Sequence, residues 1–300
     1  MRFSLGLPFP SGESDAQEYG DYVDFAQAAE RAGLDAVSTT DHPFPVVAGG
    51  RAGHHTLDPF VLQSLIGGAT ESIALHFSLI VAPYRNPFLL ARQISSLDIL
   101  TRGRCIVALG AGYLAPEFAA LGASYDRRAT AVEGTLEAME LAWSGEPVVA
   151  AGHGWSADGN VMRPRPYSRP RPRMWRGGNS GKALRSAVEH FDGWSPFEVN
   201  TDWSQETSTA AMNVETLPKR LERVRTLVDE SGRTTPFETC FVRTTTRWLA
   251  DRSQAVDELG ALQDAGLDWL EFKLYGRTHQ ARLESIDAFA ELVRSNNLQA

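Results

Sequence analysis

The chain has 300 residues, 43% of them apolar and 22% charged, with a formal net charge of −8. These proportions belong to a soluble globular chain and exclude a disordered, fibrous or collagen-like one, while the acidic balance excludes the basic footprint of a nucleic-acid binder. Length alone allows two domains of about 150 residues or one α/β barrel of about 250 with insertions.

The elements alternate along the chain. Residues 2–8 predict a short strand and 16–32 a helix, with Val23, Ala26 and Ala29 on one face and Gly33 as its stop. A strand over 34–39, a helix over 57–70 and a nearly all-apolar strand over 73–82 follow. The next helix, 87–101, has Pro87 in its first turn, where a missing N–H costs nothing. A strand over 104–110 leads to a helix over 129–143 that ends near Gly145. Further on, strands over 174–176, 192–196, 237–244 and 268–275 alternate with helices over 182–190, 217–230, 253–265 and 281–294.

Eight strand–helix units in order predict a single (β/α)8 TIM barrel over residues 1–300, in preference to an open doubly wound sheet. One connection, about 145–172, shows no clear element and reads as an insertion between the fourth helix and the fifth strand, placed to cover the site. Met1-Arg2-Phe3-Ser4-Leu5 runs straight into the first strand without a signal peptide's longer apolar stretch. No run approaches the roughly 18 apolar residues of a membrane span. The expected class is a cytoplasmic enzyme without membrane or nucleic-acid partners. Cys105 and Cys240 sit in apolar runs and read as buried free thiols.

In such a barrel the chemistry lies just after the strands. Here those segments are 8–10, 40–43, 82–85, 110–113, 177–180, 195–197, 244–245 and 275–277. Asp41-His42 is either an acid–base pair, with Asp41 orienting His42, or a helix cap beside a packing histidine. Gly177-Gly178-Asn179-Ser180 is either a phosphate cradle at a helix N-terminus or a tight turn with a polar cap. Gly110-Ala111-Gly112 lacks the third glycine of a dinucleotide fingerprint but allows close backbone approach to a flat ring. No metal site is expected: His54 and His55 adjoin on a loop, where neighbouring side chains point apart. An aldolase-type barrel is disfavoured, since Lys182 falls in a helix and Lys273 inside the last predicted strand.

Residues 80–87 (Ile-Val-Ala-Pro-Tyr-Arg-Asn-Pro), followed by 97–104 (Leu-Asp-Ile-Leu-Thr-Arg-Gly-Arg) and by Gly110-Ala111-Gly112, resemble the luciferase-like flavin/deazaflavin oxidoreductase superfamily. Residues 30–37 leading to Asp41-His42, 175–178 leading to 192–194, and 265–268 keep the same motif order over nearly the whole chain. The resemblance implies FMN or the deazaflavin coenzyme F420 at the C-terminal face of the barrel. Gly177 and Gly178, with Asn179 and Ser180, would hold its phosphate; Gly110, Ala111 and Gly112 would admit its ring; His42 would stand beside the reactive face. Ser78-Leu79 matches a pair that is often a non-proline cis peptide in the family. Some deazaflavin-dependent members carry Glu after Gly-x-Gly where this chain has Tyr113, with Glu117 four residues later.

The expected activity is hydride transfer between F420 and a small organic substrate. The alternative is an FMNH2-dependent monooxygenase fed by a separate flavin reductase, and a distant third is a non-catalytic flavin-binding barrel. A homodimer is expected. Arg163, Arg165, Arg169, Arg171, Arg173 and Arg176 read either as a clamp for the cofactor's phosphate or acidic tail, or as a solvated loop pairing with surface carboxylates. Trp155, Tyr167 and Trp203 read as pocket walls or as packing.

Overall fold

The computed structural model describes residues 1–8, 19–46, 55–207, 209–244, 248–274, 276 and 278–298. Phe9, Pro10, His54, Thr245, Tyr275 and Arg277 of the expected loops, and the predicted start of the first helix at 16, lie outside the described residues. The first half runs β1 (Arg2–Gly6), α1 (Tyr19–Arg31), β2 (Ala36–Thr39), α2 (Pro59–Ala69), β3 (Ala74–Val81), a 3₁₀ turn (Ala82–Tyr84), α3 (Pro87–Leu100), β4 (Cys105–Gly110), α4 (Ala115–Ala120) and α5 (Arg128–Trp143). The second half runs β5 (Val148–Gly152), β6 (Trp155–Asn160), β7 (Arg173–Gly177), α6 (Gly181–His190), β8 (Gly193–Ser195), α7 (Thr201–Thr207), α8 (Leu217–Ser231), β9 (Glu238–Val242), α9 (Arg252–Asp264), β10 (Trp269–Phe272) and α10 (His279–Ser295).

Eight parallel strands close in the order β1-β10-β9-β8-β7-β4-β3-β2. Period-2 alternation separates two cores. Phe3, Leu5, Phe77, Val107, Leu109 and Phe272 join the large cluster shared with the helices, while Ile106, Ala108, Trp175, Cys240 and Trp269 fill the barrel's interior. Local chemistry sets the helix starts. The side chains of Asp58, Asn86, Ser180 and Thr278 each accept from backbone N–H groups of the first turn. Ser78-Leu79 is a cis peptide, at the point where the β3–β4 register shifts.

Two expectations need correction. The connection after α5 is not featureless: β5 and β6 pair as an antiparallel hairpin turned at Gly154, whose φ of +76° suits glycine. It leaves the far end of α5, but its turn reaches the first turns of α3 and α5, where Trp155 packs on Phe88 and His153 meets Arg127, and no residue of 145–172 lines the mouth cavity. The last strand ends at Phe272, which leaves Lys273 just beyond its C-terminal end and not within it.

Candidate active site

A cavity of about 380 Å³ opens at the C-terminal mouth. Asp41, His42, Ser78, Leu79, Gly110, Ala111, Gly112, Gly177, Gly178, Asn179 and Ser180, the residues singled out from the sequence, all line it.

The carboxylate that meets His42 is Glu117, to which the sequence alone assigned no role. His42 Nδ1 lies 3.2 Å from Glu117 Oε2, Tyr84 Oη donates to the same oxygen at 2.9 Å, and Phe44 N–H donates to Oε1 at 2.9 Å. Glu117 is wholly buried. Burial pushes its carboxyl up, but the His42 and Phe44 hydrogen bonds, the His42 charge and Tyr84 outweigh this and hold it below the ordinary range. An ionised carboxylate only accepts, so Nδ1 carries the proton in this pair. Burial and Glu117 together raise the Tyr84 hydroxyl, and they push that of Tyr113 up to about 12. Both phenols therefore stay protonated donors.

Asp41 does a different job from the one expected. Its carboxylate takes both guanidinium arms of Arg85, Nη2 to Oδ1 at 2.8 Å, and the Val81 N–H at 3.0 Å. It fixes the turn after β3 against the loop after β2. Arg104, from the second motif of the resemblance, is likewise structural: its guanidinium reaches the carbonyls of Gly67, Thr70 and Ile73.

The glycines make room for Leu79. A Cβ at Gly110 would lie 2.6 Å from Leu79 Cδ2, and one at Gly177 would lie 2.5 Å from it. A Cβ at Gly112, φ +74°, would meet Val81 and Phe118. Gly178, at φ +120°, turns the chain into α6, where Ser180 Oγ accepts the Ala183 N–H at 3.1 Å. The Asn179 side chain ties down the next loop, bonding the Phe197 and Ala210 carbonyls and the Phe197 N–H. The Gly178 N–H is spent on the Ser195 carbonyl at 3.2 Å, so what the turn offers an anion is the start of α6 and the cavity-lining cations Lys182 and Arg128.

The aromatic wall runs from His42 to Tyr113 (5.8 Å between ring centroids), on to Trp203 (5.7 Å), and from Trp203 to Phe197 (5.8 Å), all edge to face. Of the three aromatics considered from the sequence, only Trp203 reaches the cavity; Trp155 packs on Phe88 and Tyr167 is exposed. Of the six arginines, only Arg176 lines it, bonding Glu133 and the Gly177 carbonyl. The clamp is not formed by the others. Arg163 and Arg165 bind the carbonyls of Gly145 and Trp143, Arg171 pairs with Glu140 and Asp192, and Arg173 pairs with Glu238.

Sequence reasoning also missed Glu271 and Lys273, which line the cavity floor. Ser38 Oγ donates to Glu271 Oε1 at 2.8 Å, and Ser78 bonds the same carboxyl group. Burial lifts Glu271 to about 7, against the pull of Ser78, Ser38 and Lys273. Burial lowers Lys273 to about 8, with Glu271 opposing. The signal was available: Trp269, Glu271 and Lys273 share one period-2 face, and Trp269 lies inside the barrel. His54 lies outside the described residues and His55 is exposed. Cys105 and Cys240 are buried free thiols, as expected.

A flat, partly anionic cofactor fits these residues. The cavity is mostly apolar-walled, one end carries N–H donors and cations, and Thr40 Oγ1 is a buried cavity-lining atom without a hydrogen-bond partner. The fold and cavity define a closed α/β barrel with its pocket among the strand ends, and comparison with known proteins gives its class. The luciferase-like monooxygenase family model matches residues 1–293, and the chain belongs to that family. It is thus an oxidoreductase of the luciferase-like family.

An uncharacterized protein of Mycobacterium tuberculosis is 26% identical over 72% of this chain and 74% of its own length. The FMNH2-dependent dimethylsulfone monooxygenase of Pseudomonas putida is 26% identical over 56% of this chain and 46% of its own. Among solved structures, the monooxygenase RslO1 from Streptomyces bottropensis superposes with a TM-score of 0.80 at 19% identity, covering 99% of this chain and 100% of that one. An F420-dependent secondary alcohol dehydrogenase does so with 0.76 at 16% identity, covering 98% of each. No helix among the described residues is long and apolar enough to cross a membrane.

Proposed function

We infer that this protein is an F420-dependent oxidoreductase acting on a small organic substrate. The observation that carries the reading is the His42–Glu117–Tyr84 cluster, in which the buried Glu117 holds the cavity-lining His42 and Tyr84 beside the glycine-walled strands. The cofactor, when bound, supplies hydride exchange. The chain supplies the rest. Ser180 at the start of α6, Lys182 and Arg128 would hold the phosphate end, and Leu79, seated over Gly110 and Gly177, would back the ring. His42 would exchange the accompanying proton, with Glu117 fixing the imidazole by its Nδ1–H. Tyr113, Trp203 and Phe197 would exclude water from a compact apolar substrate.

The test is turnover of F420 and its reduced form against a panel of alcohols, ketones, aldehydes and activated alkenes. The reading predicts turnover that falls about 10²–10⁴-fold in His42→Ala. Absence of binding and turnover across the panel overturns it. The second reading, an FMNH2-dependent monooxygenase served by a separate reductase, is favoured by the dimethylsulfone relative. Its sign is oxygen uptake coupled to substrate oxidation, as opposed to simple release of hydrogen peroxide. A homodimer in the cytoplasm is part of the proposal, and light scattering of the purified protein checks the dimer.

A further inference from the structure

Outside the His42 cluster, the cavity holds a second pair of ionisable groups. Glu271 is 2% exposed, carries hydrogen bonds from Ser38 and Ser78, and keeps Oε2 without a hydrogen-bond partner. Lys273 stands two residues on, at the mouth end of the same strand face. Its alkyl chain fills space that only glycine leaves at Gly6, where a Cβ would lie 3.0 Å from Lys273 Cγ and 3.3 Å from Cε. The lysine is therefore seated against the barrel wall. A buried ammonium and a buried carboxylate cancel each other in an empty cavity, but a third charge changes the balance.

We propose that Lys273 and Glu271 form a proton-accepting anion site on the cavity floor, which receives a delocalised organic monoanion and takes up a proton as that anion binds. An incoming anion beside Glu271 repels the carboxylate and attracts the ammonium. Both effects favour the protonated pair, in which neutral Glu271 and cationic Lys273 leave one positive charge for the ligand. Two ligands offer that chemistry: the ring of a reduced flavin or deazaflavin, which is anionic at neutral pH, and the carboxylate of an acidic substrate. The first rests on the function proposed above; the second does not.

The charged and titratable groups facing the pair include His76 from β3, with Nδ1 at 3.8 Å from Glu271 Oε2, Cys240 from β9 and Arg243 just beyond that strand. Burial, reinforced by Arg173, pushes His76 down to about 3, so it stays neutral, and burial raises the Cys240 thiol well above its ordinary value. Arg243 is held by Glu198 and Glu258. The proton uptake is thus assigned to the pair. Burial raises Glu271 and lowers Lys273, which brings both toward neutrality, so the uptake falls in the neutral range. It fades at lower pH, where both groups already hold their protons, and anion affinity weakens as pH rises through the window.

The test is calorimetric titration in two buffers of different ionisation enthalpy. FMN and coenzyme F420 are titrated oxidised and reduced, and benzoate is titrated into the apoprotein. Lys273→Met keeps the alkyl chain over Gly6 and removes the charge, Glu271→Gln removes the ionisable carboxyl, and thermal melts confirm that both variants fold. Wild type is expected to take up close to one proton per anion, and Glu271→Gln markedly less. Lys273→Met is expected to lose roughly ten- to hundred-fold in anion affinity, the range for a hydrogen bond to a charged group. If the loss falls on the preference for reduced over oxidised cofactor, the anion is the ring; if it falls on benzoate, the anion is an acidic substrate. Unchanged affinities with no proton uptake overturn the site. If wild type binds neither cofactor, the proposed function fails, while the benzoate titration still decides the anion site.

Discussion

Glu117 Oε2 receives both His42 Nδ1, at 3.2 Å, and the Tyr84 hydroxyl, at 2.9 Å, so a single buried oxygen joins the loops after β2, β3 and β4. Its lowered pKa has a stability consequence. A depressed carboxylate stabilises the fold fully above its unfolded value of about 4.5 and loses that contribution as pH falls through the native value. Glu117→Gln should therefore show a shallower fall of Tm than wild type from about pH 6 down to about pH 3. Calorimetric melts across that range check this, and parallel acid limbs would contradict it.

The seating of Leu79 makes a second prediction. Gly110→Ala places a methyl against both Leu79 methyls and should cost about 1–3 kcal/mol by overpacking. Leu79→Ala widens the cavity that Leu79 lines and should cost about 2 kcal/mol alone, the low end for a leucine truncation. The two changes together should cost less than their sum, because the second relieves the clash made by the first. Urea unfolding of the four proteins measures the coupling; strict additivity would show that Leu79 is not what Gly110 accommodates.

Asp41 is wholly buried at its carboxylate and held by Arg85. Breaking one side of such a pair leaves an uncompensated charge, so Asp41→Asn should destabilise by about 3–5 kcal/mol. Denaturant unfolding checks the figure. A loss below about 1 kcal/mol, the level of an exposed pair, would place this ion pair among the dispensable ones.

The arginine-rich connection and the α6 turn make opposite predictions about cofactor affinity. Arg163→Ala and Arg165→Ala should leave it unchanged, since both side chains serve backbone carbonyls at the far face. Lys182→Ala and Arg128→Ala should weaken it about tenfold, more steeply at low salt. Fluorescence titrations of the four variants distinguish the two regions.

The barrel was legible because its signal is periodic. Strand and helix alternation, Pro87 and Gly33 mark elements wherever they occur, and the boundaries moved by only a few residues. Those few residues mattered at β10, where ending the strand at Phe272 put Lys273 at the mouth. The cavity-lining glycines and the Asp41-His42 pair were legible as strand-end residues. Their partners were not, because Glu117 meets His42 across 75 positions and Arg85 meets Asp41 across 44. The arginine run misled because proximity in sequence to a glycine turn is not proximity in space: a helix-to-strand connection begins and ends at the other end of the barrel.

The most direct test of the account is a paired titration of the purified apoprotein with coenzyme F420 and with FMN, followed by fluorescence at matched ionic strength. The account predicts tight binding of F420, with FMN weaker. Tight binding of FMN with none of F420 would contradict it and make the monooxygenase reading the better description of this cavity.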